Sequence, residues 1–194
     1  TSPRDFKMRR NSGFALRSTL AIGGLVALTA CAQLGIVVTR VDYATQYEPA
    51  EARAAGGGDH QMKVTVLGNP FDAPHATLEA AVIDSMQGST SGIPINFAAN
   101  PKTRTQAARF RVVVTFTPEA IRDPAKLCTA GEDIALAAPA SGTVPLMSAF
   151  CSSDSSVSHA IARASDIDGT ASEKLDALMI QLTLAMFPDE NPHR

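Results

Sequence analysis

The sequence predicts an α+β fold in which a mostly antiparallel sheet of about four to six strands carries two helices on one face. Apolar and polar residues alternate through 108–118, which is typical of a strand. Two more β-prone segments, 143–151 and 156–164, flank a short polar turn and indicate a β-hairpin. An amphipathic pattern over 169–188 predicts a long helix that packs against this sheet.

The predicted domain spans 61–188, and its elements follow the order β-α-β-β-β-β-α. A strand over 62–68 ends at the turn sequence GNP. A helix then begins near Pro74, and its buried face holds Leu78, Ala81, Val82, Ser85 and Met86. A short edge strand is predicted over 92–97, because Pro94 lacks the amide hydrogen that an interior strand donates.

The strand over 108–118 has two faces of different character. We expect one face to be buried, with Phe110, Val112, Val114 and Phe116. The other face carries Arg109, Arg111, Val113 and Thr115. Arg109 and Arg111 either contact an anionic partner or simply solvate this face of the sheet.

The last helix has a predicted start and a predicted buried stripe. Thr170 and Glu173 have the spacing of a capping box, which would make Thr170 the N-cap. The stripe consists of Leu175, Leu178, Met179, Leu182 and Met186. Residues 189–194 are expected to form a solvated tail.

The 194 residues carry a formal charge of −2 that is unevenly distributed. Residues 1–30 hold five of the 17 basic residues and one of the 19 acidic ones, so the rest of the chain has 12 basic and 18 acidic residues. Nucleic-acid binding needs a clustered basic face, and this acidic body argues against it. The body also has no electrostatic attraction to an anionic membrane, so any membrane contact must come from the N-terminus.

The N-terminal residues have the three-part layout of a secretory signal. From Met8, the expected start, basic residues come first, an apolar stretch over 19–30 follows, and small residues precede Cys31. The apolar stretch is about a dozen residues long, whereas a membrane-spanning helix needs roughly 20. We therefore expect residues 1–30 to be a signal peptide.

The junction Leu28-Thr29-Ala30-Cys31 resembles the lipobox of bacterial lipoproteins. The resemblance implies signal cleavage between Ala30 and Cys31 and acylation of Cys31, with palmitate as a typical chain. It also implies a lipid anchor at the cell envelope, facing the periplasm. Ala32, rather than an aspartate, is similar to the pattern of outer-membrane destinations. The alternatives are an ordinary secreted protein and a buried helix with an incidental cysteine.

Residues 31–60 are expected to form the lipidated N-terminus and a tether. Within them, 35–44 is β-prone and can add an edge strand to the sheet. The triple glycine 56–58 reads as a flexible linker, since it lacks the Gly-Lys-Ser/Thr ending of a phosphate loop.

The two remaining cysteines, Cys128 and Cys151, are predicted to form a structural disulfide, because exported thiols meet an oxidising compartment. The alternative is two reduced cysteines in the core. Their spacing does not resemble Cys-x-x-Cys, which disfavours a redox role.

No catalytic, metal or cofactor site is predicted. The four histidines His60, His75, His159 and His193 lie far apart without the paired spacing of a zinc site. The serine-rich segment 151–159 includes His159 and resembles a catalytic triad only in composition, and a hairpin turn explains it better. The sequence DIDG over 166–169 is interpreted as a turn rather than a calcium loop.

These observations favour a non-catalytic lipoprotein that provides a binding or assembly surface to an envelope complex. The alternative is a small-ligand-binding or hydrolytic envelope domain with an unrecognised site. A third possibility is a structural lipoprotein that pairs with a partner sheet through 35–44.

Overall fold

A computed structural model describes residues 35–92, 94–102, 109–118, 123–130, 134–137 and 142–193. The strands are β1 (Ile36–Tyr43), β2 (Met62–Leu67), β3 (Phe97–Ala98), β4 (Phe110–Phe116), β5 (Thr143–Ser152) and β6 (Ser155–Ser165). The helices are α1 (Pro49–Gly56), α2 (His75–Met86), α3 (Leu127–Ala130) and α4 (Glu173–Met186), with a 3-10 turn at Pro124–Lys126. The predicted α+β class is confirmed.

The six strands form one mixed sheet in the order β1-β6-β5-β4-β2-β3. Strands β1, β6, β5 and β4 pair antiparallel, whereas β2 pairs parallel with both β4 and β3. The expectation of a mostly antiparallel sheet with two helices was therefore wrong. Helix α2 is a crossover from β2 to the next strands, and a crossover connection produces parallel neighbours.

Helices α1, α2 and α4 cover one face of the sheet and bury the main core there. All five residues of the predicted α4 stripe are buried, and so are the four residues of the predicted β4 face. On β6, the residues beneath α4 include Ala160, Ala162 and Ala164, whose small side chains let the helix approach the strand closely. Among the described residues, no helix has both the length and the apolar character needed to cross a bilayer.

The opposite face has a smaller apolar cluster beneath the segment 124–130. The buried members are Val113, Leu127, Cys128, Met147, Ala149 and Cys151. A disulfide between Cys128 and Cys151 fastens α3 to β5, so the predicted pairing is present.

The fold begins well before Gln61, where the domain was expected to start. The predicted edge strand is β1, which pairs with β6, but the following residues do not form a tether. Tyr47, Ala52 and Ala55 are buried in the main core. Gly56 ends α1 in a position where an added Cβ would lie 2.5 Å from Cγ2 of Ile95, so close packing rather than flexibility explains this glycine.

Two details at the C-terminal end differ from expectation. The N-cap of α4 is Ser172, whose hydroxyl accepts a hydrogen bond from the amide of Lys174, and not Thr170. The expected solvated tail is anchored by Asn191, which is buried and donates from Nδ2 to the carbonyls of Thr45 and Tyr47 at 3.0 and 2.9 Å.

Candidate functional site

Ser156, His159 and Asp42 form a polar cluster on the sheet face that carries the disulfide. Asp42 lies on β1 directly opposite His159 on β6. Ser156 and His159 are three positions apart, a spacing that normally places two strand residues on opposite faces. An irregularity in the β5–β6 register at Val157 adds one residue, and this bulge brings both side chains to the same face.

The side chains of this cluster are within contact distance. The Ser156 Oγ lies 3.1 Å from Nδ1 of His159, and Nε2 of the same ring lies 3.1 Å from Oδ2 of Asp42. The second contact is close enough for an ion pair, but Nε2 is buried with its N–H direction off the hydrogen-bond axis. The His159 ring is thus positioned between a hydroxyl and a carboxylate.

Arg40 completes the electrostatics of the cluster. Its Nε donates to Oδ2 of Asp42, and this hydrogen bond holds the pKa of the Asp42 carboxyl below its usual value. The charge of Arg40 and the neighbouring His159 act in the same direction, while desolvation of the carboxyl opposes them. Asp42 therefore faces the imidazole as a carboxylate at neutral pH.

The same contacts also join the edge strand β1 to its neighbour β6. The Ser156 hydroxyl has a second acceptor, the carbonyl oxygen of Ser158 at 3.3 Å. On β1, a second bulge at Thr39 interrupts the register, and the Thr39 hydroxyl donates to the carbonyl of Ile161 at 3.2 Å. Bulges and charged side chains discourage further strand pairing at an edge, which disfavours a partner sheet docked on 35–44.

A polar groove of about 460 Å³ lies where β2 and β3 begin, and its lining is formed by Gly58, Asp59, Gln61, Gln87, Asn96, Phe97 and Lys102. Several of these side chains form hydrogen bonds with the backbone of the segments that line the groove. The Gln87 side chain donates to the carbonyl of Phe97 and accepts from its amide. Asn96 donates to the carbonyls of Gly58 and His60. Lys102 is exposed at the rim of this groove.

Arg109 and Arg111, the candidate anion contacts, both have partners within the fold. Arg111 donates to the carbonyls of Cys128 and Ser153 at 2.6 and 2.8 Å, beside the disulfide. Arg109 pairs with Glu51 at 3.1 Å and lies over the ring of Phe110. These contacts favour a structural role for both side chains.

The structure describes only some of the remaining sites considered in the sequence. Within that portion of the chain, no group of three or more histidine, cysteine, aspartate or glutamate side chains is arranged to hold a metal ion. Ala30, Cys31 and the rest of the lipobox lie outside the described residues. The segment 166–169 lies between β6 and α4, and Asp166 there has a φ of 56°.

The chain matches no known protein-family profile and no curated protein. It is similar to two solved structures of the PelC dodecamer from Paraburkholderia phytofirmans. The first, a point variant, gives a TM-score of 0.42 at 15% identity and covers 78% of this chain and 97% of that one. The second gives 0.39 at 16% identity and covers 76% and 91%. At these TM-scores we draw no conclusion about this chain from the similarity.

Sequence reasoning found Ser156 and His159 in one segment but interpreted that segment as a turn alone. It placed Asp42 in a separate β-prone stretch. Two features of the sequence pointed to this cluster. One was the carboxylate of Asp42 in the β-prone first strand, and the other was His159 in the last strand. The missing information was that these two strands are neighbours.

Proposed function

We propose that this chain is a lipid-anchored envelope protein whose folded body presents a binding or assembly surface to the periplasm. The observation that carries the proposal is that the start of β1 and the polar groove lie at opposite ends of the sheet. Ile36, the first residue of β1, pairs with Ala164 near the end of β6. The polar groove and the β5–β6 hairpin lie at the opposite end, because Met62 pairs with Phe97 and Phe110 pairs with Ser152.

The short connection between Cys31 and β1 limits how far the start of β1 can lie from a lipid attached to Cys31. Five residue steps separate Cys31 from Ile36, which span at most about 18 Å when extended. With acyl chains on Cys31, the β1 start would stay close to the membrane. Strand β6 has 11 residues and extends roughly 35 Å, so the groove end would point away from the lipid.

The disulfide supports export, since disulfides persist in oxidising compartments such as the periplasm and are rare in the cytosol. Ala32 favours the outer membrane over the inner membrane as the destination. A small polar ligand is the second candidate for the groove, favoured by the mostly polar residues that line it.

The anchor is tested by replacing Cys31. We expect Cys31→Ser to abolish incorporation of labelled palmitate and to release the protein from membranes, while Cys128→Ser keeps both. Unchanged labelling of Cys31→Ser would overturn the anchor.

The orientation is tested by photo-crosslinking in intact cells. A photoreactive residue at Lys102, in the groove, should yield a reproducible protein or ligand adduct. The same residue at Asp166, which is exposed at the β1-start end, is the matched control and should yield none of these adducts. Identical adduct patterns from both positions would contradict the proposed binding surface.

A further inference from the structure

We propose that Ser156 is an activated nucleophile that accepts an acyl group from small esters, with His159 as its base and Asp42 as the positioning residue. The juxtaposition of these side chains carries the inference. A nucleophile within hydrogen-bond reach of a base, which is in turn oriented by a third group, is the arrangement by which serine hydroxyls are activated. This activity goes beyond the proposed binding role and does not depend on it.

Ser156 differs from the serines around it. Ser153 and Ser155 are exposed at the hairpin, and Ser158 is buried with its hydroxyl donating to the carbonyl of Met186 at 2.8 Å. Among the described serines of this segment, Ser156 is the one that contacts an imidazole nitrogen. It is also half-buried, whereas Ser153 and Ser155 are exposed and Ser158 is buried.

The carboxylate determines which ring nitrogen carries the proton. A proton on Nε2 of His159 faces the negative charge of Asp42, whereas a lone pair there would be repelled by it. In this tautomer Nδ1 is the acceptor for the Ser156 hydroxyl. The misalignment of the Nε2 contact is compatible with this role, because catalytic hydrogen bonds are often poorly aligned before substrate binds.

The acyl transfer balances with these groups alone. The Ser156 Oγ forms a bond to the ester carbonyl carbon as its proton moves to Nδ1 of His159. The bond from that carbon to the leaving oxygen then breaks, and His159 returns the proton to the departing alcohol. Water attacks the acyl-serine by the same proton transfers, which releases the acid and restores Ser156.

The location of the cluster limits the substrate class. Ser156 and His159 lie on a sheet face near a hairpin, where the side chain of His159 is 14% exposed and that of Asp42 is 41% exposed. A small acyl donor reaches such a face without a deep cleft. We therefore assign short-chain esters rather than a long acyl chain that would need to be enclosed.

The test uses the full chain with p-nitrophenyl acetate and with a fluorophosphonate probe, followed by peptide mass spectrometry. We expect an adduct on Ser156 that is lost in Ser156→Ala and kept in Ser155→Ala, the exposed neighbour. Replacing the base by His159→Gln should slow acylation about a hundredfold. Asp42→Asn should also slow it, with partial recovery in Asp42→Glu, whereas a purely structural role would leave the rates of correctly folded variants equal.

Folding of each variant is checked by far-UV circular dichroism and by protection of Cys128 and Cys151 from thiol reagents. Absence of an adduct on Ser156 in the folded wild type overturns the proposal. Equal modification of Ser155 and Ser156 overturns it as well, since that pattern indicates ordinary reactivity of exposed hydroxyls.

Discussion

Arg111 donates from its guanidinium to the carbonyl oxygen of Cys128 at 2.6 Å, across the space between β4 and α3. A second donor of the same guanidinium reaches the carbonyl of Ser153 at 2.8 Å. One side chain thereby holds α3 and the β5–β6 hairpin to β4. A charged donor on two carbonyl groups is a stronger link than the surface ion pair of Arg109.

We expect Arg111→Met to lower the free energy of unfolding by about 2 kcal/mol, because two charge-assisted hydrogen bonds are lost. Urea denaturation measures this change. Arg163→Met is the matched control, since Arg163 is exposed on β6 of the same sheet, and its effect should stay within about 0.5 kcal/mol. Equal losses in both variants would contradict the bridging role of Arg111.

The disulfide should stabilise the folded domain by restricting the unfolded chain. It closes a sequence separation of 23, for which chain entropy gives about 3 kcal/mol. We expect Cys128→Ala/Cys151→Ala to lose this amount in urea denaturation, in a Cys31→Ser background. Adding reductant should destabilise the parent by a similar amount and leave the double variant unchanged. A parent insensitive to reductant would contradict the prediction.

Gly56→Ala should destabilise the protein although alanine favours helices more than glycine does. The added Cβ would meet Cγ2 of Ile95 at 2.5 Å, and overpacking of this kind costs about 1–3 kcal/mol. In an Ile95→Ala background the same substitution should cost less, because the obstructing methyl group is gone. A double-mutant cycle measures this coupling, and additive effects would exclude the contact as the cause.

Stability should fall at high pH because of Tyr47. Burial raises the pKa of this phenol, and the nearby Tyr43 and Asp189 raise it further. The unfolded chain therefore releases the proton first, so stability is fully present below about pH 10 and is lost as the pH rises above it. Tyr47→Phe should flatten this loss between pH 9 and pH 11, by about 1.4 kcal/mol per pH unit at most.

Thermal or urea denaturation of the parent and of Tyr47→Phe between pH 9 and pH 11 measures this loss of stability. Tyr47→Phe also removes the hydrogen bond from the Tyr47 hydroxyl to the carbonyl of Pro188, so its stability near neutral pH should drop by about 1 kcal/mol. The two curves should therefore approach each other as the pH rises. Parallel curves would contradict the titration of Tyr47.

The sequence predicted the elements whose pattern is local. The hairpin over β5 and β6 and the buried stripe of α4 agree with expectation because strand alternation and helical periodicity are determined by neighbouring residues. Helix α1 was missed, since Pro49 and the glycines after it are typical of a linker. Pro49 occupies the first turn of the helix, and only the buried Tyr47 and Ala55 reveal why the segment folds.

The candidate cluster depended on information that no local pattern contains. Asp42 meets His159 only because β1 and β6 are neighbours in the sheet. Ser156 joins them only because of the bulge at Val157, and a strict alternation would have placed Ser156 on the other face. A bulge changes the face of every residue beyond it, so periodicity alone predicts the wrong side.

The disulfide between Cys128 and Cys151 also affects how the chain can misfold. Three cysteines allow three pairwise bonds, of which one is the observed bond. An acylated Cys31 would be unable to form either of the two incorrect bonds. The lipid would then act as a protecting group for folding, and an unlipidated Cys31 would expose the chain to scrambled disulfides.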